Sequence, residues 1–158
     1  ICTLSKHEAE KQGYTDSLML DHEGNIAEAT GANVFFKDKT GELHTPIPDS
    51  FLDGITRRTV IGIAKSKNIK VNERKIKPEE LKNFVGCFLT GTAAEVTPVS
   101  QIASIIASAR GPSGRNVDYL YRLDGWLLQH GIRDDHVRSI AKLVHEREEA
   151  EEASDCDD

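Results

Sequence analysis

The spacing of apolar positions along this chain changes period from one stretch to the next, and each change predicts an element. Ser17 to Asp21 (SLMLD) is a short apolar run followed by the turn chemistry of Glu23-Gly24-Asn25, which predicts a hairpin into a second strand over Ile26 to Lys37, interrupted at Gly31. Lys39-Thr40-Gly41-Glu42 then turns the chain into a third strand around Leu43 to Thr45, and prolines at 46 and 48 end the sheet-like region. Ahead of these, Leu4 to Gln12 reads as the end of a helix stopped by Gly13. From Ile55 the spacing becomes helical, with Val60, Ile63 and Ala64 on one face and a start marked by Asp53-Gly54. Strand character returns over Ile69 to Ile76, Pro78 to Leu81 predicts the first turn of a short helix, and Val85 to Thr90 (VGCFLT) reads as a buried strand.

Beyond Gln101 the pattern is helical. After Gly111-Pro112-Ser113-Gly114, an apolar stripe of Val117, Leu120, Tyr121, Leu127 and Leu128 follows a cap at Asn116. A second stripe of Val137, Ile140, Ala141 and Val144 starts at Asp134. The fold class expected is therefore α/β, a mixed sheet with helices over residues 1–102, followed by an all-α two-helix segment over 103–150 and an acidic tail over 151–158.

Charge and cysteine usage narrow the chemistry. The formal net charge of −6 is concentrated between Glu146 and Asp158, so the body is close to neutral and offers a phosphate backbone or an anionic membrane no basic surface. No apolar run is long enough for a membrane-spanning helix, and the start has no signal-peptide pattern. Cys2, Cys87 and Cys156 are odd in number and lack CxxC spacing, which points to free thiols in a reducing, cytoplasmic setting. No pair among the histidines has metal-ligand spacing on one helix face, so no metal site is expected. An opening isoleucine inside an amphipathic segment is expected of a piece of a longer chain.

Three short stretches carry the candidate chemistry: Ala27-Glu28-Ala29-Thr30-Gly31-Ala32-Asn33, then Phe51-Leu52-Asp53-Gly54-Ile55-Thr56-Arg57, then Leu89-Thr90-Gly91-Thr92-Ala93-Ala94-Glu95. Taken singly they read as a strand edge, a helix start and a tight turn after a core strand. In this order and at these separations they resemble the cofactor-binding motifs of fold-type-IV pyridoxal-phosphate enzymes, and the GTAAEVTP stretch is similar to that of branched-chain aminotransferases. The resemblance runs from about His7 to Ile102. It implies pyridoxal 5'-phosphate as cofactor and amino acids and 2-oxo acids as substrates, leucine, isoleucine, valine and 2-oxoglutarate among them.

By resemblance, Glu28 is the carboxylate beside the cofactor's ring nitrogen, where a negative charge keeps that nitrogen protonated. Leu52 lies against the ring face, and Gly54, Ile55 and Thr56 open a helix whose N–H groups suit a phosphate dianion. Gly91 and Thr92 end a strand at the same phosphate, while the backbone of Thr92 and Ala93 meets the substrate carboxylate. The lysine that holds the cofactor's aldehyde in that family stands ahead of Ile1, and Lys6 and Lys11 come too late to match it. No catalytic residue is therefore nominated, and the chain alone is expected to be inactive.

From Ile105 to Asn116 (IIASARGPSGRN), with Tyr119-Leu120 and Gly131 to Val137, the chain resembles the C-terminal end of glutathione-specific gamma-glutamylcyclotransferases, without the catalytic part of those enzymes. Two rival expectations follow: a non-catalytic chimeric interaction or structural module, and, ranked last, a gamma-glutamylcyclotransferase remnant. Self-association is expected too, because the aminotransferase-like part normally packs against sequence ahead of it and a second subunit.

Overall fold

The computed structural model describes residues 2–105, 109–110, 116–117 and 120–125. Helix α1 (Cys2–Lys11) buries Ser5 and Ala9 and stops at Gly13, whose φ of +84° suits a residue without a Cβ. Strands β1 (Asp16–Leu20) and β2 (Ile26–Ala29) form the expected antiparallel hairpin. Its turn is fastened by the Asp21 carboxylate, which accepts the N–H groups of Glu23 and Asn25. Strands β3 (Asn33–Lys37) and β4 (Leu43–Thr45) pair antiparallel, and helix α2 (Ile55–Ser66) crosses over to β5 (Val71–Glu73), which lies parallel to β4. A 3-10 turn over Pro78–Asn83 leads into β6 (Gly86–Gly91) and the long β7 (Glu95–Ile105).

β3 and β6 pair residue for residue, from Asn33 with Thr90 to Lys37 with Gly86. Alternate side chains of the pair enter two cores. Phe35 and Phe88, opposite each other with ring centroids 5.0 Å apart, pack with Val60, Ile61 and Ala64 of α2. Val34, Phe36 and Leu89 point the other way, to Leu18, Ile26, Ala29 and Ile76. Burial on both faces explains why these strands read as continuous apolar runs rather than alternating ones.

The segment beyond 103 departs from expectation. Ala109–Arg110 (β8), Asn116–Val117 (β9) and Leu120–Gly125 (β10) are strands, so the helical stripe read through Val117, Leu120 and Tyr121 is corrected. β8 pairs with β9, and β10 enters the main sheet between β1 and β7, giving the order β2-β1-β10-β7-β6-β3-β4-β5. A short apolar run such as Leu120-Tyr121-Arg122-Leu123 suits either period, and two neighbouring strands with backbone groups to satisfy decide for strand. β7 runs unbroken through Gln101, where the composition changes. Leu127, Leu128, the second expected helix and the acidic tail lie outside the described residues.

Arg57 locks the β4–α2 connection to this sheet. Its guanidinium is 1% exposed, and its Nη atoms donate to Asp53 Oδ1 (2.7 Å), the Pro46 carbonyl (2.9 Å) and Glu73 Oε2 (2.8 Å). Glu73 ends β5, so one side chain ties that strand to both ends of the loop ahead of α2. Breaking a buried ion pair costs ~3–5 kcal/mol, and because both carboxylates are partly exposed the lower end applies here. Arg57→Ala should lower the urea midpoint by the equivalent of ~3 kcal/mol at unchanged m-value; an unshifted midpoint would refute the lock.

Candidate functional site

The three motif stretches meet at one end of the β3–β6 pair. Asn33 opens β3, 5% exposed, and its carboxamide grips the chain ahead of α2: Nδ2 donates to the Leu52 carbonyl (2.9 Å) and Oδ1 accepts the Gly54 N–H (3.2 Å). A Cβ built on Gly54 would lie 2.5 Å from that same Oδ1, so glycine is required by proximity. Across the sheet, a Cβ on Gly91 would stand 3.4 Å from the Gly31 carbonyl and 3.5 Å from Ala32 Cβ, so the end of β6 rests on the β2–β3 turn. Asn33 and Gly31 thus join the first stretch to the second and third.

Gly54 is the N-cap of α2 and has extended backbone angles, and no side chain caps the helix. The first N–H groups of a helix have no intrahelical acceptor, and the aligned peptide dipoles place partial positive charge there. Ile55 and Thr56 supply the first of these donors, with Thr56 buried and Ile55 72% exposed. Leu52, 80% exposed, stands on the same loop as an apolar side chain with nothing covering it among the described residues. Next to Asn33 in the ladder, the Thr90 hydroxyl is fully buried without a hydrogen-bond partner among the described residues. Ser17 Oγ and Arg57 Nε are buried without a partner in the same way, and of the three only Thr90 stands opposite Asn33 in the ladder.

Glu28 lies on β2, half-buried, and no hydrogen bond or ion pair engages its carboxylate among the described residues. Burial pushes its carboxyl pKa above the ordinary glutamate value, with no opposing interaction. A carboxylate held this way gains from a cationic N–H. Thr92 and Ala93, both exposed, form the β6–β7 turn, which ends on Glu95 at φ +47°, a left-handed conformation rarely adopted outside glycine and asparagine.

A cavity of about 530 Å³ opens beside this turn, lined by Ala93, Ala94, Gly31 and Ala32 and by Lys6 and His7 of α1. Of the nominated residues only Ala93 reaches it; Glu28, Leu52, Gly54, Ile55, Thr56, Gly91 and Thr92 do not line it. Sequence reasoning passed over Asn33 as a structural partner, although it closes the AEATGAN stretch, and passed over Arg57, whose place in the first turn of a helix disguised its burial.

Elsewhere, the β3–β4 turn brings Asp38, Glu42 and His44 together with ligand atoms within 4.8 Å, a grouping that histidine spacing on helices did not reveal. These groups are already engaged. His44 Nε2 lies 3.0 Å from Asp38 Oδ2, His44 Nδ1 accepts from Arg74 Nε, and Glu42 accepts from Lys70 and Asn72. No helix among the described residues is long and apolar enough to cross a membrane.

The chain is similar to known proteins over the part that holds the three stretches. A probable branched-chain-amino-acid aminotransferase of Rickettsia felis is 56% identical over 99 residues, 62% of this chain and 33% of that protein. The branched-chain-amino-acid aminotransferase of Pseudomonas aeruginosa is 38% identical over 120 residues, 75% of this chain and 39% of that protein. Among solved structures, a T.th. branched-chain amino acid aminotransferase complexed with N-(5'-phosphopyridoxyl)-L-glutamate matches with a TM-score of 0.60 at 41% identity, covering 63% of this chain and 33% of that one. The branched-chain aminotransferase of Thermoproteus uzoniensis with norvaline matches with a TM-score of 0.65 at 34% identity, covering 91% of this chain and 40% of that one. The chain spans about a third of the length of the Rickettsia relatives it matches. The family model for amino-transferase class IV matches residues 1–102, and the chain belongs to that family.

Proposed function

We propose that this chain forms the cofactor-binding part of a branched-chain amino acid aminotransferase and takes pyridoxal 5'-phosphate on the end of the β3–β6 pair. The observation that carries the proposal is the coincidence, among the described residues, of a helix N-terminus without a side-chain cap beside a buried hydroxyl without a partner, Thr90, and a half-buried carboxylate without a partner, Glu28, on the strand that leads into the same turn. These groups fit a ligand with a phosphate at one end and a protonated ring nitrogen at the other.

When bound, pyridoxal phosphate supplies an electron sink for the bond broken at an amino acid's alpha-carbon. Glu28 holds the proton on the ring nitrogen, its desolvated charge strengthening that hold. The Ile55 and Thr56 N–H groups and the Thr56 hydroxyl bind the phosphate, with Gly91 and Thr92 approaching from the β6 side. Leu52, exposed on the same loop, would lie against one ring face. The Thr92 and Ala93 N–H groups orient the substrate carboxylate, with the neighbouring cavity open to the rest of the substrate. Lys6 on α1 lines that cavity and is exposed, and Lys11 is exposed on the same helix, so the part we assign to the described residues is to bind and orient.

Titrating the chain with pyridoxal phosphate should give a saturable absorbance change that inorganic phosphate reverses. A linear response, or one indifferent to phosphate, would remove the proposal.

Glu28 gives a second test. Because burial raises its pKa, the folded chain keeps a proton there that the unfolded chain has released, so stability falls as pH rises from the ordinary glutamate value through the raised one and stays lower above it. Glu28→Gln should therefore raise the urea midpoint of the cofactor-free chain at neutral pH while weakening pyridoxal phosphate binding. Equal midpoints, or undiminished binding, would contradict the role given to Glu28.

Leu4 and Val85, 70% and 59% exposed, leave apolar surface away from the cradle, which supports self-association of the chain. Light scattering should report a mass above that of one chain, and a monomeric mass at all concentrations would count against it.

A further inference from the structure

We infer that Asn33 is the positioning residue of the phosphate cradle, a carboxamide latch that sets the Leu52–Thr56 loop so that the Ile55 and Thr56 N–H groups are aimed at the ligand before it arrives. The inference rests on the cradle assigned above.

Arg57 ties the ends of this connection to the sheet through Pro46 and the Asp53 side chain, and the backbone around Gly54 is held separately. Leu52 and Ile55 are 80% and 72% exposed, so no apolar packing holds either side of Gly54. Arg57 anchors Asp53 through its side chain, but among the described side chains it is Asn33 that touches the backbone on both sides of Asp53, donating to the Leu52 carbonyl at 2.9 Å and accepting from the Gly54 N–H at 3.2 Å. A primary carboxamide presents a donor and an acceptor side by side; aspartate lacks the donor and alanine lacks both. The base of the latch is rigid, because Asn33 lies in the sheet, paired with Thr90 and 5% exposed.

The latch also selects which donors remain. With its N–H committed to Asn33, Gly54 contributes nothing to an incoming anion, and the next N–H groups, those of Ile55 and Thr56, become the cradle. Gly54 is small for the same reason: a Cβ there would fall 2.5 Å from Asn33 Oδ1 and push the carboxamide out. The two residues form one device, and either substitution should disable it.

Backbone amide exchange tests the latch without cofactor. Asn33→Ala should speed exchange at Gly54 by about tenfold or more, the worth of one to two hydrogen bonds, while the Phe88 and Leu89 amides in β6 keep their protection. Unchanged Gly54 exchange overturns the latch, and equal loss at Phe88 reveals a merely structural residue. Positioning is then read as the ratio of affinities for pyridoxal phosphate and pyridoxal, which lacks the phosphate. Asn33→Ala and Gly54→Ala should each lower that ratio by about tenfold; a ratio unchanged in both overturns the positioning role. A wild-type chain that binds neither compound sinks the cofactor proposal and the positioning role with it, while exchange at Gly54 still decides the latch.

Discussion

The antiparallel ladder from Asn33–Thr90 to Lys37–Gly86 is buried on both faces, and most of the molecule is arranged by that fact. A strand pair covered on both sides must place an apolar side chain at nearly every position, and NVFFK and GCFLTG do so until their ends. Polar residues then cluster where the apolar demand stops. Asn33 and Thr90 sit at that end, so the place where the two cores run out is also where the cradle is proposed.

Charge is handled in opposite ways at two points. Arg57 has two carboxylates and a carbonyl around it, and the connection ahead of α2 is fixed as a result. Glu28 has no partner among the described residues, and burial alone raises its pKa. A chain selected only for stability would not keep an unpaired half-buried carboxylate beside a turn that already satisfies its own backbone. Keeping one makes sense where a cation completes the environment, which links a destabilising feature of the sheet to the proposed chemistry.

Local chemistry made most of the fold legible. Asn25 and Gly24 announced the first hairpin, Leu43 to Thr45 was bounded correctly by Gly41 and Pro46, and the 3.6-residue spacing of Val60 and Ala64 marked α2. Leu120 to Gly125 was misread because its pattern fits two periods and its partners, β1 and β7, are set by the sheet rather than by local spacing. The three stretches are legible as motifs, whereas the contact that joins the first to the second is not. Nothing in the string AEATGAN says that its last residue reaches across to Leu52 and Gly54, since that contact exists only once β3 and α2 are placed.

The position of β10 has a consequence for synthesis. β1 emerges well before β7, yet the two do not pair with each other; both await the strand that comes last among the described elements. A nascent chain therefore holds two open strand edges until residue 125 clears the ribosomal tunnel, and sheet closure is a late event of high contact order. During that interval the growing polypeptide would be a natural client for a chaperone that shields unpaired backbone.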